Sequence, residues 1–526
     1  MTARLASLAI LCCASTAAAA PAARYGDAAV TRARSPLETR LESLVGEVAA
    51  AQHREPPRPD ARLGRAAEEI ARHIAPDGRP PSELVQAALW LHGLYEPPPH
   101  LILVTLIEGN DAGLVAELRA QLPRPLGEGR FRRVGVAVVP TASDAHRSEV
   151  VVALQESFIE LQPIARAPAL DAQVGLDGRL ADPYRRPEAF VTAPDGKVNR
   201  LSLSGDERRF RGGFRCGPER GRYQVEVAGE DRFGAAVLAN FPVYCGAAPP
   251  AALEPLRAHA GDDAITDAAQ AEAVIARLVN ADRARAGLQP LALDERLSRV
   301  ARAHSSDMQA HGFLGHISPT TGSAADRLRR AGVDAQLVLE NVARAYSPGE
   351  AERGLMDSPG HRANLLNSEV TLLGVGAVIA VGLGGVRELL VTQVFTRPTE
   401  TLGAGSLADL RGRIGALRRQ RSLAALADDP ALDALAQSTA RELGAGSLSP
   451  SRAGEPIDRA LAQLADRYAR VRSAVAVSSS LAGVVDGLAK PLTDPGVTAC
   501  GIGLASGRRP DGSAALYAVI VLATAR

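Results

Sequence analysis

Lysine is nearly missing from this 526-residue chain: it occurs only at Lys197 and Lys490, so the 60 basic residues are almost all arginine. They face 59 acidic residues, and a net charge of +1 leaves no electrostatic case for nucleic acid or for an anionic membrane surface. Arginine in place of lysine, beside abundant alanine, reads as compositional bias, and the cluster Arg130, Arg132 and Arg133 reads as solvated loop charge. Long apolar runs are missing too. Beyond the N-terminus none approaches the roughly 18 residues that cross a bilayer. The nearest, Leu372 to Val386, is interrupted by Gly374, Gly376, Gly382, Gly384 and Gly385, so no membrane span is expected there. Cysteine is scarce as well, with Cys12 and Cys13 near the start and only Cys216, Cys245 and Cys500 after it.

The N-terminus carries a processing signal. Arg4 precedes the apolar run Leu5 to Cys13 and the small-residue tract Ala14 to Ala20, the pattern of a signal peptide over residues 1–23. A lipoprotein needs a small residue before its modified cysteine, and Leu11 and Cys12 occupy those places. The mature chain is therefore expected to be secreted or periplasmic. In that oxidising setting Cys216 and Cys245 can pair. Cys500, in the apolar stretch VTACGIGLA, is expected to stay a buried, inert thiol.

What the chain does have is a group of short polar motifs: GHISP from Gly315, LENVA from Leu339 and SPGHRANLLN from Ser358. They supply His316, Glu340 and His361, and imidazole with carboxylate is the mixture that holds a divalent transition metal or moves protons near neutral pH. Their spacing is not the i, i+4 interval of one helical face, so only a fold can bring them together. His304 falls on the apolar face of the helix that Asp294 caps, with Leu297, Val300, Ala301 and Met308, and reads as a core histidine. Ser347 and Glu350 form a capping box. Asn341 reads as closing a turn, and Arg362 and Asn364 as tying the loop after His361 to backbone carbonyls. Gly374-Val375-Gly376 lies inside an apolar strand and is no phosphate loop, and Ser318 has no nucleophile elbow around it.

These motifs, together with LVNADRARAGLQPL, DERLSRVARAHSSDM, DRLRRAG, LLGVGAV and VTQVF in the same order, resemble the bacterial branch of the CAP superfamily over residues 269–400. That is the cysteine-rich secretory protein, antigen 5 and pathogenesis-related 1 group, also called the SCP domain. The resemblance implies an α+β fold, an α-β-α sandwich with a solvent-facing cleft. It makes His316 and His361 the cleft histidines and Glu340 the cleft carboxylate, with Leu339 where the family has the glycine of its GEN motif. The second cleft carboxylate of eukaryotic members falls near Ser358, beside Asp357, and the preceding tryptophan is Leu355. The implied site is a triad for a divalent metal such as zinc, on His316, Glu340 and His361, supported by Asn341, Asp357 and Ser358.

The same landmarks recur. An ungapped shift brings Leu288, Leu291, Asp294 and Leu297 onto Leu423, Leu426, Asp429 and Leu432, and the later landmarks follow in the same order, GHISP echoed by GSLSP and EVTLLGVGA by GVTACGIGLA. A shift the other way brings Asp294, Arg296-Leu297 and Arg299 onto Asp60, Arg62-Leu63 and Arg65. Degenerate CAP-like repeats are therefore expected over 36–160 and 405–526. In the latter, Ser447 stands for His316, SAVAV for LENVA, and the GHR element is deleted. In the former, His73 matches His316 and Glu108 is the nearest acid. Between the first two units, alternation at Tyr223, Val225 and Val227 and a turn at Pro194-Asp195-Gly196 predict a small β-sandwich over 161–247, stapled by the cysteine pair and followed by a linker over 248–268.

Two functions follow. The first is a binding or adhesion module at the cell envelope or outside the cell, with cell wall, lipid or protein as its ligand. The alternative is a metal-assisted hydrolase of peptide or cell-wall substrates that uses Glu340 as base. Loss of the site in the flanking units and the lack of a second acid favour the first.

Overall fold

A computed structural model describes residues 22–27, 30–74, 80–141, 144–254, 267–382, 387–510 and 512–526. Residues 1–21 of the expected signal peptide, with Cys12 and Cys13, and most of the expected linker lie outside these residues. The chain divides into two compact units. One gathers Met1–Asp263 with Arg353–Ala363 and Ala380–Glu388; the other gathers Ala264–Glu352, Asn364–Ile379 and Leu389–Arg526. The segment Arg353–Ala363, inside the domain expected over 269–400, thus packs with the N-terminal unit, for reasons its hydrogen bonds supply below.

Three four-stranded sheets share one strand order. In each, a two-residue strand pairs in parallel with the third strand, and the fourth strand pairs antiparallel with the second. The two-residue strands are Arg58–Pro59, Ala292–Leu293 and Ala427–Asp428, and each leads into an aspartate that caps the next helix. Asp60, Asp294 and Asp429 all accept from the backbone amides two and three residues on, which satisfies donors that a helix start leaves unpaired.

Helices cover both faces of the first and last of these sheets. In the first, Val134, Val136, Val150, Val152 and Leu154 pack with helix Pro36–Ala51, while Ala137, Val151 and Ala153 pack with helix Ala61–His73 on the other face. In the last, Ile502, Leu504 and Ile520 face helix Ser406–Gln420, and Val519 and Val521 face helix Pro430–Gly444. Such alternation is what a sheet buried on both sides requires.

The helix after each aspartate cap lies unusually close to its sheet. A Cβ on Gly135 would meet Leu63 C at 2.4 Å, one on Gly374 would meet Leu297 C at 2.3 Å, and one on Gly501 would meet Leu432 C at 2.0 Å. The glycines that align across the sequence are therefore the ones that admit a helix backbone.

Residues 159–245 form two four-stranded sheets whose inner faces share one core, including Leu176, Phe210, Phe214, Val225, Phe241 and Val243. Strand Arg24–Tyr25 pairs with Ile164–Ala165, and the fully buried Tyr25 donates its hydroxyl to Pro242 O at 2.8 Å. Cys216 and Cys245 are bonded, 29 residues apart in sequence, and both are fully buried. Cys500 is free and buried, and burial pushes its thiol up to about 11. Thiol titration of the unreduced, denatured mature chain should find one reactive group, and three would contradict the pairing. Reduction should cost this segment about 3–4 kcal/mol, the closure entropy of a loop of that size.

The arginines are not all solvated charge. Arg130 and Arg132 are exposed, but Arg133 sits in a strand, 2.8 Å from Glu96 and 3.5 Å from Asp60. Arg283, 2% exposed, donates to the carbonyls of Gln289, Leu365 and Asn367. Its partner under the ungapped shift, Arg418, donates in the same way to Ala424, Leu492 and Asp494.

Candidate functional site

Strand Ala335–Ala345 carries the LENVA motif, and its two polar residues face opposite ways because side chains alternate along a strand. Glu340 stands opposite Val394, and Asn341 opposite Gln393. Asn341 is therefore not in a turn. Fully buried, it donates to Gln393 Oε1 at 3.1 Å and accepts from Asn364 Nδ2 at 2.9 Å. Gln393 in turn donates to Glu352, a buried acid on the same face. Burial pushes Glu352 up to about 8, against the pull of its Gln393 hydrogen bond, and Asp282 adds to the rise.

On the other face Glu340 meets the GHISP segment. His316 Nδ1 lies 3.0 Å from Glu340 Oε1, and Arg327 donates to Oε2. Arg327 is itself buried and also donates to the carbonyls of His316 and Gly322, so one guanidinium fastens the turn to the strand. Burial pushes the Glu340 carboxyl up, but the His316 hydrogen bond and the Arg327 charge overcome it and hold the group below the ordinary carboxylate range. His304, from the helix behind, donates to Gly315 O at 2.9 Å, with the same nitrogen 3.9 Å from Glu340 Oε1. Burial pushes its ring below the ordinary histidine range, more strongly than Glu340 raises it, so it is a neutral core group as its helical position predicts. Arg327 lies in DRLRRAG, where nothing in the sequence sets it apart from its arginine neighbours.

His361 has bonds of its own. Its Nδ1 is 2.6 Å from Ser358 Oγ, and Ser358 donates to Glu226, from the central strand Gly221–Asp231 of the two-sheet segment. Gly360 N donates to the other Glu226 oxygen at 3.0 Å. Arg353 pairs with Glu83, Arg362 donates to Gly196 O, and the exposed Asp357 lies 3.5 Å from Arg222. These bonds are why Arg353–Ala363 packs with the N-terminal unit. No motif pointed to Glu226; the only signal was a glutamate in a strand otherwise patterned for burial.

The other expectations divide. Ser318 accepts from the amides of Thr320 and Thr321 and closes a turn. Ser347 caps the helix by accepting from Glu350 N, while Glu350 reaches back to Tyr346 N. In the first sheet unit His73 bonds to Glu69 O, and Glu108 pairs with His146 rather than with His73. Ser447, where His316 would stand in the last unit, is exposed and bonds to Glu442 O.

Among the described residues, no three His, Cys, Asp or Glu side chains are grouped to hold a metal ion. Glu340 already has one oxygen on His316 and the other on Arg327, so a metal would have to displace a buried ion pair.

Residues 276–395 match the Cysteine-rich secretory protein family, CAP. This segment is a domain of the CAP superfamily. The uncharacterised protein YkwD of Bacillus subtilis is 42% identical over 108 residues, which cover 20% of this chain and 42% of that protein. The uncharacterised membrane protein YlbC of the same organism is 42% identical over 106 residues, covering 20% of this chain and 31% of that one. The chain thus spans less than half the length of these relatives. Among solved structures, an extracellular protein containing a SCP domain from Bacillus anthracis is 23% identical, with a TM-score of 0.23, over 55% of this chain and 93% of that one. Among the described residues no helix is long and apolar enough to cross a membrane.

Proposed function

We propose that this chain is an exported binding protein of the cell envelope, in which the CAP domain recognises a polar ligand and the flanking sheets of like order are copies without the site. The observation that carries this reading is the state of Glu340. A general base works best when its pKa is close to the operating pH. Glu340 is held below the ordinary carboxylate range by His316 and Arg327, which makes it a fixed, oriented anion and a weak base. The flanking units keep the aspartate cap and the glycine-to-helix contact, features of folding, while Ser447 replaces the histidine in one and His73 and Glu108 bond to other partners in the other, as duplicated scaffolds would.

Insoluble cell wall is the ligand class to test. The full-length chain should co-sediment with purified peptidoglycan sacculi at neutral pH without releasing soluble fragments. Glu340→Gln should weaken the association roughly tenfold or more, because it strands the Arg327 charge that fastens the His316 turn to the strand. Added zinc should leave the bound fraction unchanged, since Arg327 already balances the carboxylate. Time-dependent release of soluble fragments that Glu340→Gln abolishes would establish the hydrolase instead, and zinc-dependent binding lost in His361→Ala would establish the metal site.

A further inference from the structure

The contact between Ser358 and His361 is more than packing, because a hydrogen-bond chain fixes where each proton lies. Glu226 is 2% exposed and accepts twice, from Ser358 Oγ and from Gly360 N. A serine hydroxyl has one proton to give, and an ionised carboxylate has none. With the Ser358 proton directed at Glu226, the short contact between Ser358 Oγ and His361 Nδ1 holds only if Nδ1 carries a proton and donates it. The glycine at 360 is part of the arrangement, since a Cβ there would lie 2.7 Å from Glu226 Oε1.

We propose that Glu226, a residue of the two-sheet segment, is a positioning residue that sets the tautomer of His361 through Ser358. It keeps neutral His361 in the Nδ1–H form, whose lone pair is on Nε2. A residue outside the CAP domain thereby decides which edge of a CAP-domain histidine accepts a proton or a ligand hydrogen bond. This goes beyond the binding reading and does not depend on it, because the tautomer is read without any ligand.

The chain of bonds predicts what glutamine does in place of Glu226. Its amide must offer oxygen to the Gly360 N–H and therefore turns its NH2 toward Ser358 Oγ. The serine proton then points at His361 Nδ1, and the ring is left with its proton on Nε2. Ser358→Ala removes the acceptor and releases the ring to the Nε2–H form that neutral histidine prefers in water.

The test is a long-range proton–nitrogen correlation spectrum of the full-length, 15N-histidine-labelled protein at pH 8.5, with His361 assigned by its loss in His361→Gln. Burial pushes Glu226 up to about 7, so the carboxylate is ionised under that condition. The wild type should show the Nδ1–H pattern at His361, and both Glu226→Gln and Ser358→Ala should show Nε2–H. Glu226→Asp, which keeps a carboxylate in place, should retain part of the Nδ1–H population. An Nε2–H pattern in the wild type overturns the proposal whatever the variants do. An unchanged Nδ1–H pattern in Glu226→Gln overturns the part assigned to Glu226.

Discussion

Gly376→Ala is expected to unfold the CAP domain, although it adds a single methyl group. The new Cβ would lie 2.0 Å from Arg302 N and 2.3 Å from Ala301 C, both backbone atoms of the helix Glu295–His311. A flexible side chain could swing away; a helix backbone cannot, so the helix must lift off the sheet. That move exposes Leu297 and Ala301, both fully buried, and parts Ser305 from Gly376 O and Thr392. Overpacking a well-filled site costs about 1–3 kcal/mol, and more where the backbone has to yield. The loss here should be about 4 kcal/mol, the size associated with a named core defect. Gly503→Ala should do the same to the last sheet through Ala436. Gly354→Ala is the control: nothing lies within 4 Å of its added Cβ in the helix Pro348–Met356, and helix propensity favours alanine. Hydrogen exchange over Leu372–Val381 measures the effect, and wild-type protection in Gly376→Ala would refute the close-contact account.

The same glycines show what could be read in advance. Gly374 and Gly376 were legible as strand residues, and the recurrence of such glycines with an aspartate cap marked three sheets of like strand order, because a strand that admits a helix backbone leaves a compositional mark. The helix face of His304 and the bonding of Cys216 to Cys245 were legible for similar reasons, one from period and one from compartment. The surroundings of the site were not. Asn341 reads as a turn residue because an asparagine beside a glutamate gives no local hint of strand, while its buried bonds to Gln393 and Asn364 come from distant parts of the chain. Arg327 and Arg283 were hidden by an arginine-rich composition, in which a buried guanidinium and a solvated one look alike. Glu226 was invisible for a plainer reason: its partners Ser358 and Gly360 lie far along the sequence, and no pattern in either segment names the other.

Arg327→Met should produce the largest change of any substitution at the polar site, and should reverse its response to pH. Arg327 and Glu340 are both buried, and removing one member of such a pair leaves the other charge uncompensated, at a cost of about 3–5 kcal/mol. In the wild type the Glu340 carboxyl is lower in the folded chain than in the unfolded one. A depressed carboxyl contributes stability that is fully present above the unfolded value, roughly 4.3, and is lost as pH falls through the folded one. Without Arg327, burial is opposed chiefly by the His316 hydrogen bond, and the folded value rises above the unfolded one. The contribution then changes sign, so that stability is greatest at low pH and declines as pH rises through the folded value. Arg327→Met with Glu340→Gln removes the stranded charge and should recover most of the loss, since a neutral amide is far cheaper to bury than an anion. Hydrogen exchange over Ala335–Ala345 in denaturant, at several values between about pH 4 and 8, distinguishes the cases through local opening free energies. Profiles for wild type and Arg327→Met that run parallel would mean the guanidinium serves packing alone, and the fixed anion on which recognition is argued to depend would lose its physical basis.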